Sequence, residues 1–359
     1  MKSNRSLQLQ KKSRYSNLKR ELDLDIFNAS WIEVDTKVKK NESEKKCIDL
    51  FSGAGGLALG LRNAGFHIYA SVEIDKDASA TMERNFPESK HFCNPIEEIP
   101  NTEIEGFGEI DLLAGGPPCV GFSVAGYRNP KDQRNLYYRE YLRFLEILKP
   151  PFFLMENVPG ILTISNGQVK ELMFKEFERL GYKTSVRIME AAEFEVPQFR
   201  SRAIFIGNRL NLNNPYPRPI LNKENYLAIE DIIDDLKNHP RDPSINHEWT
   251  NHSKNFENRI SAVEPGDSLY SNFKDAYKRQ YLGVPSMTIK ENHGGTHIHP
   301  TLNRVISVRE MARLQTFPDN YFFCGNRTQQ YHQVGNAVPP YLANQIAKLV
   351  SDFLGSSGL

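Results

Sequence analysis

Between residues 47 and 207, short apolar runs alternate with stretches of helical spacing. Residues 47–51, CIDLF, are a run of strand length, closed by the glycine-rich turn SGAGG at residues 52–56. Residues 57–64 carry apolar side chains at helical spacing, and residues 67–72 read as the next strand, ending in Glu73-Ile74-Asp75. Residues 110–114 predict a strand, and residues 137–148 a helix that stops before Pro150-Pro151. Residues 152–155 predict a strand running into Glu156-Asn157-Val158-Pro159-Gly160. Residues 169–180 predict an amphipathic helix stopped by Gly181, and residues 184–189 and 203–206 two further strands. Strands alternating with helices argue for an α/β fold with a mainly parallel sheet covered by helices.

After Asn208 the periodicity weakens. The stretch to about residue 300 is rich in Asn, Pro, His and Tyr, with a proline-rich segment at 215–219, an acidic helix candidate at 229–236 and several basic and aromatic residues at 266–285. It reads as a second, smaller and irregular domain. Periodicity returns at residues 307–315, a helix with Ser307 as its cap. Residues 333–340, QVGNAVPP, read as a turn into a last helix at 341–354. The segments expected are therefore an extension at 1–46, a first domain at 47–207, a second at 208–300 and a closing segment at 301–359. No internal repeat is visible.

Composition narrows the class. The 359 residues are 39% apolar and 25% charged, as in soluble globular proteins. Net charge is only +1, so a nucleic-acid footprint has to come from local clustering. No run approaches the length of a membrane span. The basic N-terminus has no apolar core and is not a secretory signal, so a cytoplasmic location with reduced thiols is expected. Cys47, Cys93, Cys119 and Cys324 form no CxxC pair and no zinc spacing. The first twenty residues carry Lys2, Arg5, Lys11, Lys12, Arg14, Lys19 and Arg20 and no acid, which suits a solvated tail or an arm that touches phosphates. His293, His297 and His299 invite a metal site, but no Cys or acid completes a set, and none is assigned.

Two stretches carry candidate chemistry. The SGAGG turn opens a helix and is followed about twenty residues on by Glu73. That is the layout of an adenosine-type site, in which glycines allow close approach and an acid holds ribose hydroxyls. It is not a clean GxGxxG and has no following Lys-Ser/Thr, so a turn in some other α/β fold stays open. In residues 110–126, IDLLAGGPPCVGFSVAG, two glycines and two prolines place Cys119 on a stiff loop past a strand's carboxyl end. A nucleophile and a small buried hydrophobe both fit that stretch alone.

The order of motifs resembles the DNA (cytosine-5)-methyltransferases of bacterial restriction-modification systems. DLFSGAGGLALG (49–60), GGPPCVGFS (115–123), ENVPG (156–160), QFRSR (198–202), RVISVREMARLQTFPD (304–319) and QVGNAVPP (333–340) follow in the family's order. The resemblance covers residue 47 to the C-terminus, interrupted at 208–300. It implies the class I S-adenosylmethionine-dependent methyltransferase fold, S-adenosyl-L-methionine as cofactor, double-stranded DNA as substrate, and a monomer working beside a separate restriction endonuclease. A tRNA-methylating branch shares the fold and typically carries a Cys-Phe-Thr tripeptide in the variable region, which is lacking here.

By resemblance, Cys119 is the thiolate that adds to carbon 6 of cytosine, making carbon 5 nucleophilic. Glu156 would hold N3 and Arg202 the cytosine O2, with Arg200 as a further polar or phosphate contact and Asn157 as a brace for the Cys119 loop. Phe51, Gly53 and Gly55 would lie against the cofactor, Glu73 would hold its ribose and Ile74 pack on its adenine. Gly116, Pro118, Asn336 and Ala337 would close that pocket. Where members commonly carry an Asp near the adenine, this chain has Pro95, and Asn94 is the substitute. Val120 stands where Gln commonly follows the nucleophile. The 208–300 region would be the target-recognition domain. In it Thr288 would pack against the DNA backbone, and Lys278 and Arg279, with Lys274, Tyr277 and Gln280, are candidate readers, although a basic run of this kind is more often phosphate-binding than base-reading. Ser123 is a further DNA contact. Arg309, Glu310 and Arg313 are expected to pair internally.

Overall fold

The computed structural model describes residues 45–118, 136–272, 277–290 and 297–356. A seven-stranded sheet organises it: β1 (Lys46–Leu50), β2 (His67–Val72), β3 (Lys90–Phe92), β4 (Leu112–Gly115), β5 (Phe152–Asn157), β6 (Lys183–Glu190) and β7 (Ser201–Asn208), in the order β3-β2-β1-β4-β5-β7-β6. The five strands from β3 to β5 run parallel, and β7 lies antiparallel to both β5 and β6. The class I methyltransferase type of α/β fold expected from the sequence is therefore present.

Both faces of the central strands are covered, which is why their sequences read as continuous apolar runs. Cys47, Leu112, Phe152, Leu154, Ile204 and Ile206 face one core, under α1 (Gly56–Asn63) and the C-terminal helices. Ile48, Leu50, Leu113, Phe153, Met155 and Phe205 face the other, under α4 (Leu136–Leu148) and α5 (Gln168–Arg179). Helices α2 (Lys76–Asn85) and α3 (Asn101–Glu105) complete the parallel half. The apolar pattern did not predict α2, whose sequence KDASATMERN is mostly polar; it is started by Asp75, which accepts from Ala78 N at 2.8 Å.

The chain's end returns to its beginning. Helix α10 (Pro340–Ser356) packs on α1 so closely that a Cβ on Gly60 would lie 2.4 Å from Ala343 Cβ. Lys45 Nζ also donates to Ser351 O at 2.7 Å. Ser307 caps α8 (Val308–Leu314) in a full capping box with Glu310. Residues 333–336 are not the start of a turn, as expected from the sequence, but the last turn of α9 (Arg327–Asn336). Asn326 starts that helix by accepting from Thr328 and Gln329 amides, a polar cap that a search for apolar spacing passes over.

Within 208–300, the acidic helix α6 (Ile229–Ile233) is shorter than expected and continues as a tighter turn over Asp234–Asn238. It buries Ile229, Ile232 and Ile233 in the main core. A separate small core of Ile260, Val263 and Ile298 joins α7 (Lys254–Ser261) to the two-stranded β8 (Lys278–Arg279) and β9 (His297–Ile298). Among the described residues no helix is long and apolar enough to cross a membrane.

Candidate active site

The carboxyl ends of β2, β1, β4 and β5 lie side by side; the chain runs from β1 outward through β2 to β3 on one side and then crosses to β4 on the other side of β1. A crevice at such a point is where open α/β sheets bind ligands. Its β1–β2 half is built by the SGAGG turn. Phe51, with φ 56°, and Gly53, with φ 53°, bend the chain into the left-handed region, and Gly55 (φ 79°) starts α1. Glu73 accepts from Gly53 N (2.7 Å) and Asp75 N (2.9 Å), which fixes its carboxylate over the turn; burial pushes it above the usual carboxylate range. Nothing lies within 4 Å of where a Cβ on Gly53 would be. Ile74 is 62% exposed at the end of β2, and Asn94 is exposed just beyond β3.

Asp49, at the penultimate position of β1, was not singled out from the sequence. It is 1% exposed, and neither carboxylate oxygen has a partner in hydrogen-bond geometry among the described residues. Burial raises it to about 8, with the charge of Glu73 adding and the Ala58 N–H at the start of α1 partly offsetting. An acid in an otherwise apolar strand looks like an interruption in sequence; only the structure shows it buried beneath the glycine turn.

The β4–β5 half holds the second group. Gly116 N donates to Leu50 O at 3.3 Å, and Asn157 Nδ2 donates to Pro117 O at 2.8 Å, so the turn that leads into Cys119 is tied to β1 and β5. Asn157 is thus the brace expected. Glu156 and Arg202 form an ion pair, Nε to Oε1 2.6 Å, with both side chains mostly buried. A Cβ on Gly116 would approach Glu156 Oε2 to 3.1 Å, so glycine lets the loop pass close to that carboxylate. Cys119, Val120 and Ser123 lie outside the described residues, as do Lys274 and His293; Pro118, exposed, is the last described residue before the cysteine.

The other wall of the β1–β2 side of the crevice comes from far along the chain. A Cβ on Gly56 would lie 2.2 Å from Val338 O and 3.1 Å from Ala337 Cβ, so the turn after α9 is packed against the start of α1, with Asn336 exposed beside it.

Two residues expected to touch the substrate face inward here. Arg200, expected as a further polar or phosphate contact, is buried. It is 2% exposed, and its guanidinium donates to Ile289 O (2.8 Å), Gly335 O (3.1 Å) and Ala337 O (2.9 Å). Burial, together with the like charge of Arg202, lowers it to about 9. Arg279, a candidate reader, has its guanidinium turned into the small core, where it donates to the carbonyls of Val263, Ile260, His299 and Leu302 and to Asn303 Oδ1. Arg279 thereby spends all its donors on the protein, while Arg200 keeps a buried Nε without a partner among the described residues and is closed to DNA by burial instead. Lys278, beside it, instead lines a concavity of about 640 Å³ with Arg259, Asp267 and Tyr270. Thr288 is half-buried and donates to Phe199 O at 2.6 Å. Arg304 pairs with Glu310 (2.7 Å) and Arg313 with Asp319 and Asp235 (2.6 Å each), while Arg309 binds three carbonyls. His299 Nδ1 accepts from the amides of Thr301 and Leu302, and burial lowers the ring to about 4.

Comparison with known proteins gives the family. The profile of the C-5 cytosine-specific DNA methylase family matches residues 45–352. The chain is 36% identical over 321 residues to the type II methyltransferase M1.HphI of Haemophilus parahaemolyticus, covering 84% of this chain and 86% of that one. It is 32% identical to the type II methyltransferase M.DdeI of Desulfomicrobium norvegicum, covering 85% and 88%. A crystal structure of a protein assigned as a DNA modification methyltransferase encoded within an E. coli prophage superposes with a TM-score of 0.69 at 29% identity, covering 87% of this chain and 99% of that one. The chain belongs to the C-5 cytosine-specific DNA methylase family and is a DNA (cytosine-5)-methyltransferase. Family and fold imply S-adenosyl-L-methionine, and the corner at Glu73 fits it: a carboxylate for hydroxyls, an exposed aliphatic side chain for an adenine face, open space beside Gly53 and an unpaired buried acid.

Proposed function

We propose that the protein methylates carbon 5 of a flipped-out cytosine within a specific double-stranded DNA sequence, through a covalent Cys119 adduct, as the protective methylase of a restriction-modification system. The observation that carries this is the joint placement of the Glu156–Arg202 pair and the Pro117-Pro118 turn. Asn157, the residue after Glu156, holds the carbonyl two residues before Cys119. A duplex cytosine is out of reach in its stack, so the base has to leave the helix to meet this pair. The Cys119 thiolate then adds to carbon 6, and the negative charge displaced onto the ring is relieved by a proton that the Glu156 carboxyl gives to N3. Arg202 holds O2 and keeps the Glu156 carboxylate oriented. A bound sulfonium donor would supply the methyl group to carbon 5 and leave as its neutral thioether; a base or water then removes the carbon 5 proton, the Cys119–carbon 6 bond breaks as the ring double bond returns, and the N3 proton goes back to Glu156.

Bound S-adenosyl-L-methionine supplies an electrophilic methyl on a sulfonium. Glu73 would hold its ribose and Ile74 its adenine, with Phe51, Gly53, Gly55 and Asn94 around them and Gly116, Pro118, Asn336 and Ala337 closing the pocket. Residues 208–300 would read the target. Thr288 and Ser123 would touch DNA beside the flipped nucleotide, and Lys278 would touch its backbone or a base edge. The relatives' names support the protective role, since both are type II methyltransferases. Methylation-sensitive sequencing of DNA from cells expressing the chain should show 5-methylcytosine at one short recurring sequence, and that DNA should resist an endonuclease cutting there. Unmodified DNA, or methylation confined to RNA, would overturn the proposal.

A further inference from the structure

Both polar groups of the Ile289 backbone are held by side chains from one short segment. Its N–H donates to Gln198 Oε1 and its C=O accepts from Arg200 Nη1, each at 2.8 Å. Between those two residues, Phe199 accepts from Thr288 Oγ1 through its carbonyl and donates its own N–H to Ser286 O. The far side of the Arg200 guanidinium holds the carbonyls of Gly335 and Ala337, which flank Asn336. Gln198 Nε2 also meets Gln315 Oε1 at 2.9 Å, and Gln315 Nε2 donates to Val334 O at 2.8 Å. Gln198 and Gln315 are fully buried and Arg200 is 2% exposed. Water cannot replace a partner lost from this set, so a shift of Ile289 has to be followed by the Gly335–Ala337 turn or leave a buried polar group unsatisfied. The exposed residues at the two ends are Asn336 and, half-buried, Thr288.

We propose that Gln198, Arg200 and Gln315 are positioning residues that couple DNA contact at Thr288 to cofactor binding at Asn336, so that each ligand raises the affinity for the other. The inference rests on the assignment of Thr288 to DNA and Asn336 to the cofactor made above. Linkage requires the same factor in both directions, and a factor of about 5 or more is typical of coupled sites. A purely structural brace would lower stability and leave that factor alone.

The test uses the full chain, S-adenosylhomocysteine and a duplex bearing the sequence the protein methylates. Calorimetry should show each ligand tightening the other's binding about 5-fold or more. In Arg200→Lys, whose single ammonium cannot span Ile289 O and the 335–337 carbonyls together, that factor should fall to between one and two while each ligand alone binds within a few fold of wild type. Gln198→Met should act in the same direction. An unchanged factor in both variants, or no coupling in an active wild-type enzyme, overturns the proposal. Where a variant does not fold, hydrogen exchange on the wild type decides. DNA alone should slow exchange in residues 333–340 and S-adenosylhomocysteine alone should slow it in 284–290, and absence of both cross-effects is again negative. Failure of the wild type to methylate DNA or bind S-adenosylhomocysteine would instead count against the underlying site assignment.

Discussion

Arg202 Nε sits 2.6 Å from Glu156 Oε1, where β5 ends and β7 begins, and the neighbour of Glu156 grips the turn that leads to Cys119. Antiparallel pairing brings this about: Asn157 lies opposite Ala203, so the acid and the arginine meet from adjacent strands without any loop between them. Glu156→Gln keeps an oxygen for Arg202 Nε and removes the proton exchange proposed at N3. Methyl transfer should fall about 100- to 10,000-fold, with the melting temperature within about 5 °C of wild type. A variant with near-normal turnover would remove Glu156 from the chemistry.

Cys119→Ala should abolish methyl transfer while S-adenosyl-L-methionine binding, followed by calorimetry, stays within a few fold. Duplex DNA carrying 5-fluorocytosine at the target should give a denaturation-resistant complex with the wild-type chain, because fluorine cannot leave as a proton does. No trapped band from an active enzyme would argue against thiolate addition.

Gly53 and Gly56 stand three residues apart and should respond in opposite ways. Gly56→Ala drives a Cβ into Val338 O, a backbone atom that cannot rotate away, and should lower stability by about 2–4 kcal/mol, read by denaturant melts. Gly53→Ala meets open space, so its stability cost is the roughly 1 kcal/mol of a left-handed backbone. Its Cβ would enter the proposed cofactor space, and the affinity for S-adenosylhomocysteine should fall about tenfold or more, against little change expected if the cofactor lay elsewhere.

Asp49 gives a pH signature. Its folded value of about 8 lies above the roughly 3.9 of an unfolded Asp, so between these values the unfolded chain has released a proton that the folded chain keeps. The unfolded state therefore binds fewer protons, and stability contributed by this group is lost as pH rises through that window. Asp49→Asn should gain stability over wild type at pH 8 relative to pH 5, in urea melts of the cofactor-free protein. Parallel curves for the two proteins would show that Asp49 is already ionised.

How much of this was legible in the sequence depends on what each residue faces. The strands ending at Leu50, Gly115 and Asn157 are largely apolar on both faces, so their runs stand out; the turns after them carry the glycines, prolines and cysteine of the family's motifs, and Glu156 is the penultimate residue of the third strand. Helix α2 was missed because its buried side, Ala78, Ser79, Thr81 and Met82, is small and mixed. Arg200 and Arg202 look alike in sequence; one is locked by carbonyls 89 to 137 positions away, the other by Glu156, and no local pattern encodes that. The same holds for Gln198 and Gln315, partners 117 positions apart.

Lys278 and Arg279 are adjacent on β8 and point to opposite fates, which makes them a controlled pair. Arg279→Ala would strip donors from four carbonyls and Asn303 around the small core of Ile260, Val263 and Ile298, and should cost about 2–4 kcal/mol in a urea melt. Lys278→Ala removes a half-buried ammonium at the rim of the concavity and should change stability by no more than about 0.5 kcal/mol. If Lys278 meets a phosphate, DNA affinity should drop for every sequence alike and the slope of log affinity against log salt should shrink by about one. If it reads a base edge, affinity should drop for the methylated sequence alone, with the slope nearly unchanged. Binding to target and scrambled duplexes across a salt series separates the two, and wild-type behaviour on both would take Lys278 off the DNA.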